Sequence, residues 1–169
     1  MTNKYYSPQG GLPPQTQIMT DRAMFTDAYA VIPKGTYSDI VTSFLPFWTG
    51  MRMWVIARPM SGFAETFSHY IVELTSGGGS DRPEDDEEAQ AVLFVTAGSL
   101  RVTYEGKEQA LDTGGYAYLP AGSRWSVYNP TNEKTTFHWI RKAYQAVDGL
   151  DHPEAFFTNE SALDPIPMP

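Results

Sequence analysis

Gly114-Gly115-Tyr116-Ala117-Tyr118-Leu119-Pro120-Ala121-Gly122-Ser123-Arg124-Trp125-Ser126-Val127-Tyr128-Asn129 holds two short apolar and aromatic runs separated by a break of proline and glycine. Residues 116–119 and 124–128 have the composition of strands, and Pro120-Ala121-Gly122-Ser123 that of a turn. The same grammar extends upstream. Asp112-Thr113-Gly114-Gly115 is a turn, and Glu105-Gly106-Lys107 closes a hairpin. Leu100, Val102 and Tyr104 alternate with Arg101, Thr103 and Glu105, the pattern of a half-buried strand. Ala97-Gly98-Ser99 turns the chain after a short buried strand at 91–96, and Gly77-Gly78-Gly79-Ser80 breaks a strand at 67–74. Downstream, 135–141 is a further strand; further upstream, 51–58 and 28–33 read as strands, with Pro33-Lys34-Gly35 as a turn. Short strands punctuated every eight to twelve residues, with no long helical period and no internal repeat, indicate an all-β sandwich or barrel.

The composition narrows what such a protein does. A chain of 169 residues with 41% hydrophobic and 14% aromatic residues is long enough for one real core. Its net charge of -8 and pI near 4.7 repel phosphate backbones, which argues against a nucleic-acid partner. The absence of cysteine removes disulfides, thiolate nucleophiles and Cys-ligated zinc together. The N-terminus lacks the apolar run of a signal peptide. The most apolar stretch, 43–60, is interrupted by Pro46, Gly50, Arg52 and Arg58, too broken to span a bilayer. The expectation is a soluble, cytoplasmic protein in three parts: an N-terminal arm and flanking strands over 1–60, a barrel core over 61–150, and a Pro-rich linker over 151–169. Within the arm, residues 1–20 are rich in Pro, Gly and Gln and read as extended.

The opening stretch resembles the second cupin motif, G-x5-P-x-G-x2-H-x3-N. Gly114, Pro120, Gly122 and Asn129 fit, and Trp125 stands where that motif has a metal-binding His. The resemblance implies a cupin fold, a double-stranded β-helix or jelly-roll barrel, here with an extended N-terminal arm. In the first motif, G-x5-H-x-H-x3,4-E-x6-G, the closing Gly fits Gly98, which puts the Glu position at Ala91 and the two His positions between Glu84 and Glu87. No His is present there. A methyl group cannot ligate, and an indole offers a donor without an in-plane lone pair. The expectation is therefore that Trp125 fills the space a metal would take and that this chain binds no cofactor in its barrel.

Other chemistry is sparse. Glu84, Asp85, Asp86, Glu87 and Glu88 carry the oxygen ligands of a Ca²⁺ or Mg²⁺ site but lack the spacing and central Gly of an EF-hand, so a solvated acidic loop is the expected role. His69, His138 and His152 are far apart in sequence; a hydrogen-bonded core or pocket-edge His is the default for the first two. No Ser-His-Asp arrangement can be read from spacing. His138, Tyr118 and Glu87 are the remaining pocket candidates. Tyr5, Tyr6, Trp48 and Trp54 read as packing or interface aromatics.

Several strings resemble one family more closely than the motif alone does. They are Gly10-Gly-Leu-Pro-Pro-Gln-Thr16, Thr20-Asp-Arg-Ala23, Ala28-Tyr-Ala-Val-Ile-Pro33, Gly62-Phe-Ala-Glu-Thr-Phe67, Gly77-Gly-Gly-Ser-Asp-Arg-Pro83, Gly115-Tyr-Ala-Tyr-Leu-Pro120 and Phe137-His-Trp-Ile-Arg-Lys142. Together they look like the N-terminal half of the (S)-ureidoglycine aminohydrolases, two-cupin proteins of allantoin catabolism also described as glyoxylate-induced. The resemblance implies hydrolysis of (S)-ureidoglycine to (S)-ureidoglycolate and ammonia, with Mn²⁺ held by a C-terminal cupin that lies beyond this sequence. It implies no catalytic, cofactor-binding or metal residue in this chain, a second cupin domain of the same protein as partner, and a homo-oligomer. The alternatives are a stand-alone cupin-like module that binds a small polar metabolite and, against the lost ligands, a sugar isomerase or dioxygenase.

Overall fold

The computed structural model describes residues 24–25, 30–31, 43–58 and 66–164. Strand β1 (Met24–Phe25) pairs antiparallel with β2 (Ala30–Val31) inside a separate unit, Met1–Val41. β2 falls within the strand expected at 28–33; the arm expected over 1–20, with Tyr5 and Tyr6, lies outside the described residues, as does the Pro-rich end at 165–169.

The second unit, Thr42–Pro169, holds the barrel. Its strands are β3 (Thr49–Ala57), β4 (Ser68–Ser80), β5 (Ala89–Ala97), β6 (Ser99–Tyr104), β7 (Lys107–Asp112), β8 (Gly115–Leu119), β9 (Trp125–Tyr128), β10 (Thr135–Ala143) and β11 (Phe156–Asn159). All nine join one antiparallel sheet in the order β11-β8-β5-β10-β4-β9-β6-β7, with β3 on β4. This is the all-β cupin barrel the sequence indicated. Alternation decides which face is inside: Ala89, Ala91, Leu93 and Val95 of β5 and Thr135, Phe137 and Trp139 of β10 are buried, while the residues between them are half-buried. Ala91, Leu93, Val95, Phe137 and Trp139 form the core with Val72, Leu74, Leu100, Val102, Ala117, Leu119 and Val127.

Three expectations are corrected. Gly77-Gly78-Gly79 does not end the strand; β4 runs through it to Ser80. Ser68–Leu74 pairs with β10, whereas Gly79 and Ser80 pair with β9. The glycines therefore carry one strand around the barrel corner. A Cβ on Gly79 would stand 2.1 Å from the Val127 carbonyl oxygen, so only glycine permits this crossing. Second, β3 belongs to the barrel rather than to a flanking segment, because Met51 and Met53 bury their side chains in the core and the strand pairs along β4. Third, residues 151–169 are not all linker. β11 pairs with β8, and a 3-10 turn at Glu160–Ala162 follows, closed by Asn159 accepting from the Ser161 amide.

The motif residues are structural. Asn129 is fully buried and donates Nδ2 to the carbonyls of Leu74 (3.2 Å), Thr75 (3.1 Å) and Glu133 (2.7 Å). Its Oδ1 accepts from the Thr131 amide and hydroxyl, so every valence of the amide is used. Gly98 has φ +81, and a Cβ there would meet the Lys134 carbonyl at 2.8 Å, which explains the turn between β5 and β6.

Candidate functional site

At one end of the barrel the second-motif turn meets the acidic segment. The Gly122 amide donates to the Glu87 carbonyl at 2.7 Å, and the Ser123 hydroxyl donates to the Pro120 carbonyl at 2.5 Å. Between the two segments lies a cavity of about 380 Å³, lined by acidic side chains from Asp81 to Glu87, by Arg82 and Arg124, and by Trp125 at its floor.

Trp125 is 9% exposed, on the inward face of β9. It meets Trp139 edge-on, with ring centroids 5.9 Å apart and planes at 81°. Trp48 packs on Trp139 at 5.6 Å and Tyr70 does so at 5.5 Å. Trp48 Nε1 donates to the Pro83 carbonyl at 3.3 Å, which ties the acidic segment to this aromatic plug. The indole N–H of Trp139, at 2% exposure, is buried without an acceptor.

Ala91 is buried on β5 and stands in register with Arg141 of β10. Arg141 turns to the acidic segment: its Nη2 donates to Glu84 Oε1 at 2.7 Å and to Asp86 Oδ2 at 3.2 Å, while its Nε lies 2.5 Å from Glu84 Oε2 as a charge contact without hydrogen-bond geometry. Burial pushes the Glu84 carboxyl above its usual range, while Arg141 pulls the other way. The run 84–88 is thus not simply a solvated loop. Glu84 is folded back as half of an ion pair, with its side chain 14% exposed.

The rim is also built. Pro46 and Phe47 form a turn closed by the Trp48 amide and the Leu45 carbonyl at 3.4 Å. Phe47 has φ 67, a left-handed conformation unusual for a bulky residue. Its ring lies 4.3 Å under the Arg82 guanidinium, and Arg82 pairs with Asp85 at 3.0 Å.

These residues do not fit a cupin metal. Ala91 and Trp125 offer no lone pair, and Glu84, the inward carboxylate, is committed to Arg141. Among the described residues no group of three or more His, Cys, Asp or Glu is placed to hold an ion.

Of the sequence candidates, Glu87 lines the cavity. His138 and Tyr118 instead lie on the outer face of the sheet, where alternation along β10 and β8 puts them. Tyr118 donates its hydroxyl to Gln90 Oε1 at 2.6 Å; burial raises its pKa, as it does for Tyr116. His69 Nε2 and His138 Nδ1 are 2.7 Å apart. Burial, then the neighbouring His138, lowers His69 to about 4, and burial lowers His138. His152 is exposed and packs on Tyr144. Trp48 and Trp54 are both buried packing residues. The functional group that sequence reasoning missed is Arg141; the one signal for it was its inward parity with Phe137 and Trp139 on β10.

A nearly closed antiparallel barrel that buries Ala91 and Trp125 on its inward face has the cupin fold. Residues 61–144 match the model of the EutQ-like cupin domain. The chain is 27% identical over 142 residues to the (S)-ureidoglycine aminohydrolase of Escherichia coli K12, a match covering 81% of this chain and 53% of that protein. It is 61% identical to a glyoxylate-induced protein of Pseudomonas aeruginosa, whose crystal structure superposes with a TM-score of 0.81 over 98% of this chain and 60% of that one. The crystal structure of protein Ylba from E. coli is 25% identical, with a TM-score of 0.76 over 90% of this chain and 61% of that one. The chain thus spans about half the length of the curated relative.

No helix among the described residues is long and apolar enough to cross a membrane.

Proposed function

We propose that this chain is the metal-free, N-terminal cupin half of a cytoplasmic ureidoglycine aminohydrolase, and that it acts as the scaffold and assembly domain of that protein. The observation that carries the reading is the joint occupation of the ligand positions. Trp125 fills one, and Ala91 leaves room at another for Arg141, which neutralises Glu84. Hydrolysis of (S)-ureidoglycine to (S)-ureidoglycolate and ammonia needs an activated water or a metal-held substrate amine. In this reading the barrel supplies neither, because Ala91 and Trp125 bring no lone pair and Glu84 is paired with Arg141. Mn²⁺ and the catalytic groups belong, in this reading, to a second cupin domain of the same protein, which is also the partner of this one within a homo-oligomer.

The test is ammonia release from (S)-ureidoglycine, with and without Mn²⁺, by this chain and by the same chain joined to a second cupin domain. The joined protein turns over and the single cupin does not. Metal-dependent turnover by the single cupin overturns the reading.

The cavity of about 380 Å³ above Trp125 favours one second reading, a module that holds a small polar or cationic metabolite against the acidic rim. A saturable ligand with an affinity that falls on Glu87→Gln would favour it over the scaffold.

A further inference from the structure

We propose that His69 and His138 form a two-imidazole binding site for a borderline divalent transition-metal ion, Cu²⁺, Ni²⁺ or Zn²⁺, on the outer face of the barrel sheet. The site is separate from the barrel interior and does not depend on the scaffold reading.

The strand register builds it. β4 and β10 are antiparallel, with His69 opposite Ile140 and His138 opposite Ile71. The two histidines therefore occupy diagonal positions on one face, within reach of long side chains. The rings meet with centroids 5.0 Å apart and planes at 40°, and His69 Nε2 lies 2.7 Å from His138 Nδ1. In that contact one nitrogen donates and the other accepts, so a single proton sits between two donor atoms that both bind metals. Metal–nitrogen bonds of about 2.0–2.1 Å place two cis nitrogens about 2.9 Å apart at a right angle and about 3.3 Å apart at the tetrahedral angle. To accept an ion the pair opens by a few tenths of an ångström and both rings swing about χ, so that the nitrogens now directed at each other converge their lone pairs on the metal.

The surroundings suit a ligand pair. The residues in register with the histidines, Ala57 of β3, Ile71 of β4, Phe94 of β5 and Ile140 of β10, are all apolar. Both rings are held below the usual histidine pKa, so protons compete weakly with metal near neutrality. Among the described residues no third His, Cys, Asp or Glu joins them. The ion keeps its other positions for water, the affinity is modest, and it follows the order Cu²⁺ above Ni²⁺ and Zn²⁺, with Mn²⁺ weakest.

The experiment titrates Cu²⁺ and, separately, Zn²⁺ into the full chain slightly above neutral pH. Heat is followed for both ions and electron paramagnetic resonance for Cu²⁺. The expected result is one ion per chain with two nitrogen donors. His69→Ala and His138→Ala each weaken binding by at least about tenfold, since losing a ligand costs no less than losing the partner of one. His152→Ala leaves it unchanged. Imidazole ¹⁵N signals of the unaltered chain give a readout that needs no variant: Zn²⁺ shifts the His69 and His138 rings together. Equal binding by His69→Ala, or Zn²⁺ that leaves both rings' signals in place, overturns the proposal.

Discussion

Trp125 stands edge-on to Trp139, its ring centroid 5.9 Å away and its plane turned by 81°. An edge-to-face contact of this kind adds to the burial of two large rings. Trp125→Ala is expected to destabilise the barrel by about 3–5 kcal/mol, the cost of truncating a buried aromatic and leaving a cavity. Denaturant melts of the variant and the parent measure it. A loss below about 1 kcal/mol would mean that the indole is not part of the core.

Asn129, itself fully buried, ties the end of β4 at Leu74 and Thr75 to the loop at Thr131 and Glu133 through one amide. Asn129→Ala strips a donor from three carbonyls at once, so a loss of more than about 2 kcal/mol is expected. Asn129→Asp is expected to fare no better, because a carboxylate cannot donate to the carbonyls of Leu74, Thr75 and Glu133. Equal melting of Asn129→Ala and the parent would remove this residue from the framework.

The pH dependence has a defined sign. His69 titrates near 6.5 in an unfolded chain and near 4 in the folded one. Between these values the unfolded chain holds a proton that the folded chain refuses, so stability falls as pH drops from about 6.5 towards 4 and loses nothing more below. Glu84 acts in the opposite sense: its raised pKa favours the folded state at low pH, and that contribution fades as pH rises. The variant His69→Gln isolates the histidine. Proton uptake on unfolding near pH 5 is expected to fall by up to about one proton per chain, less to the extent that solvent screens the half-buried ring. An unchanged slope in stability against pH would refute the assignment.

The fold was legible because its signals are local. Alternation at residues 100–105, the Glu105-Gly106 hairpin and the Gly114–Asn129 pattern each depend on a few neighbouring residues, and each appears in the structure. The misread elements depend on distant partners. Gly77-Gly78-Gly79 looks like an end until β9 is known to cross there. Phe156–Asn159 lies between Pro153 and the Pro-rich end of the sequence and becomes a strand only because β8 offers it an edge. The same holds for chemistry. That Trp125 and Ala91 face inward follows from alternation along their strands, whereas the Glu84–Arg141 pair spans 57 residues of sequence and the His69–His138 contact spans 69. No periodicity reports such pairs; only the register of β4, β5 and β10 does.

The Glu84–Arg141 ion pair yields the last prediction. Arg141 and Glu84 are both mostly buried, so removing one partner leaves the other charge poorly solvated. Arg141→Met and Glu84→Gln are each expected to cost about 1–3 kcal/mol. The double variant Glu84→Met with Arg141→Met should cost less than the sum of Glu84→Met and Arg141→Met, because it leaves no orphaned charge. The pair also predicts the outcome of restoring a cupin ligand. Ala91→Glu sets a further carboxylate in register with Arg141, beside the Glu84 and Asp86 with which it already pairs. The new glutamate captures the guanidinium, and the variant retains no Mn²⁺ after dialysis against a chelator. Combining Ala91→Glu with Arg141→Met frees that carboxylate but still leaves Trp125 in the place of an imidazole, so retention stays absent there too. Elemental analysis of both variants decides the matter: about one Mn²⁺ held per chain in Ala91→Glu alone would show that Arg141 does not guard the position.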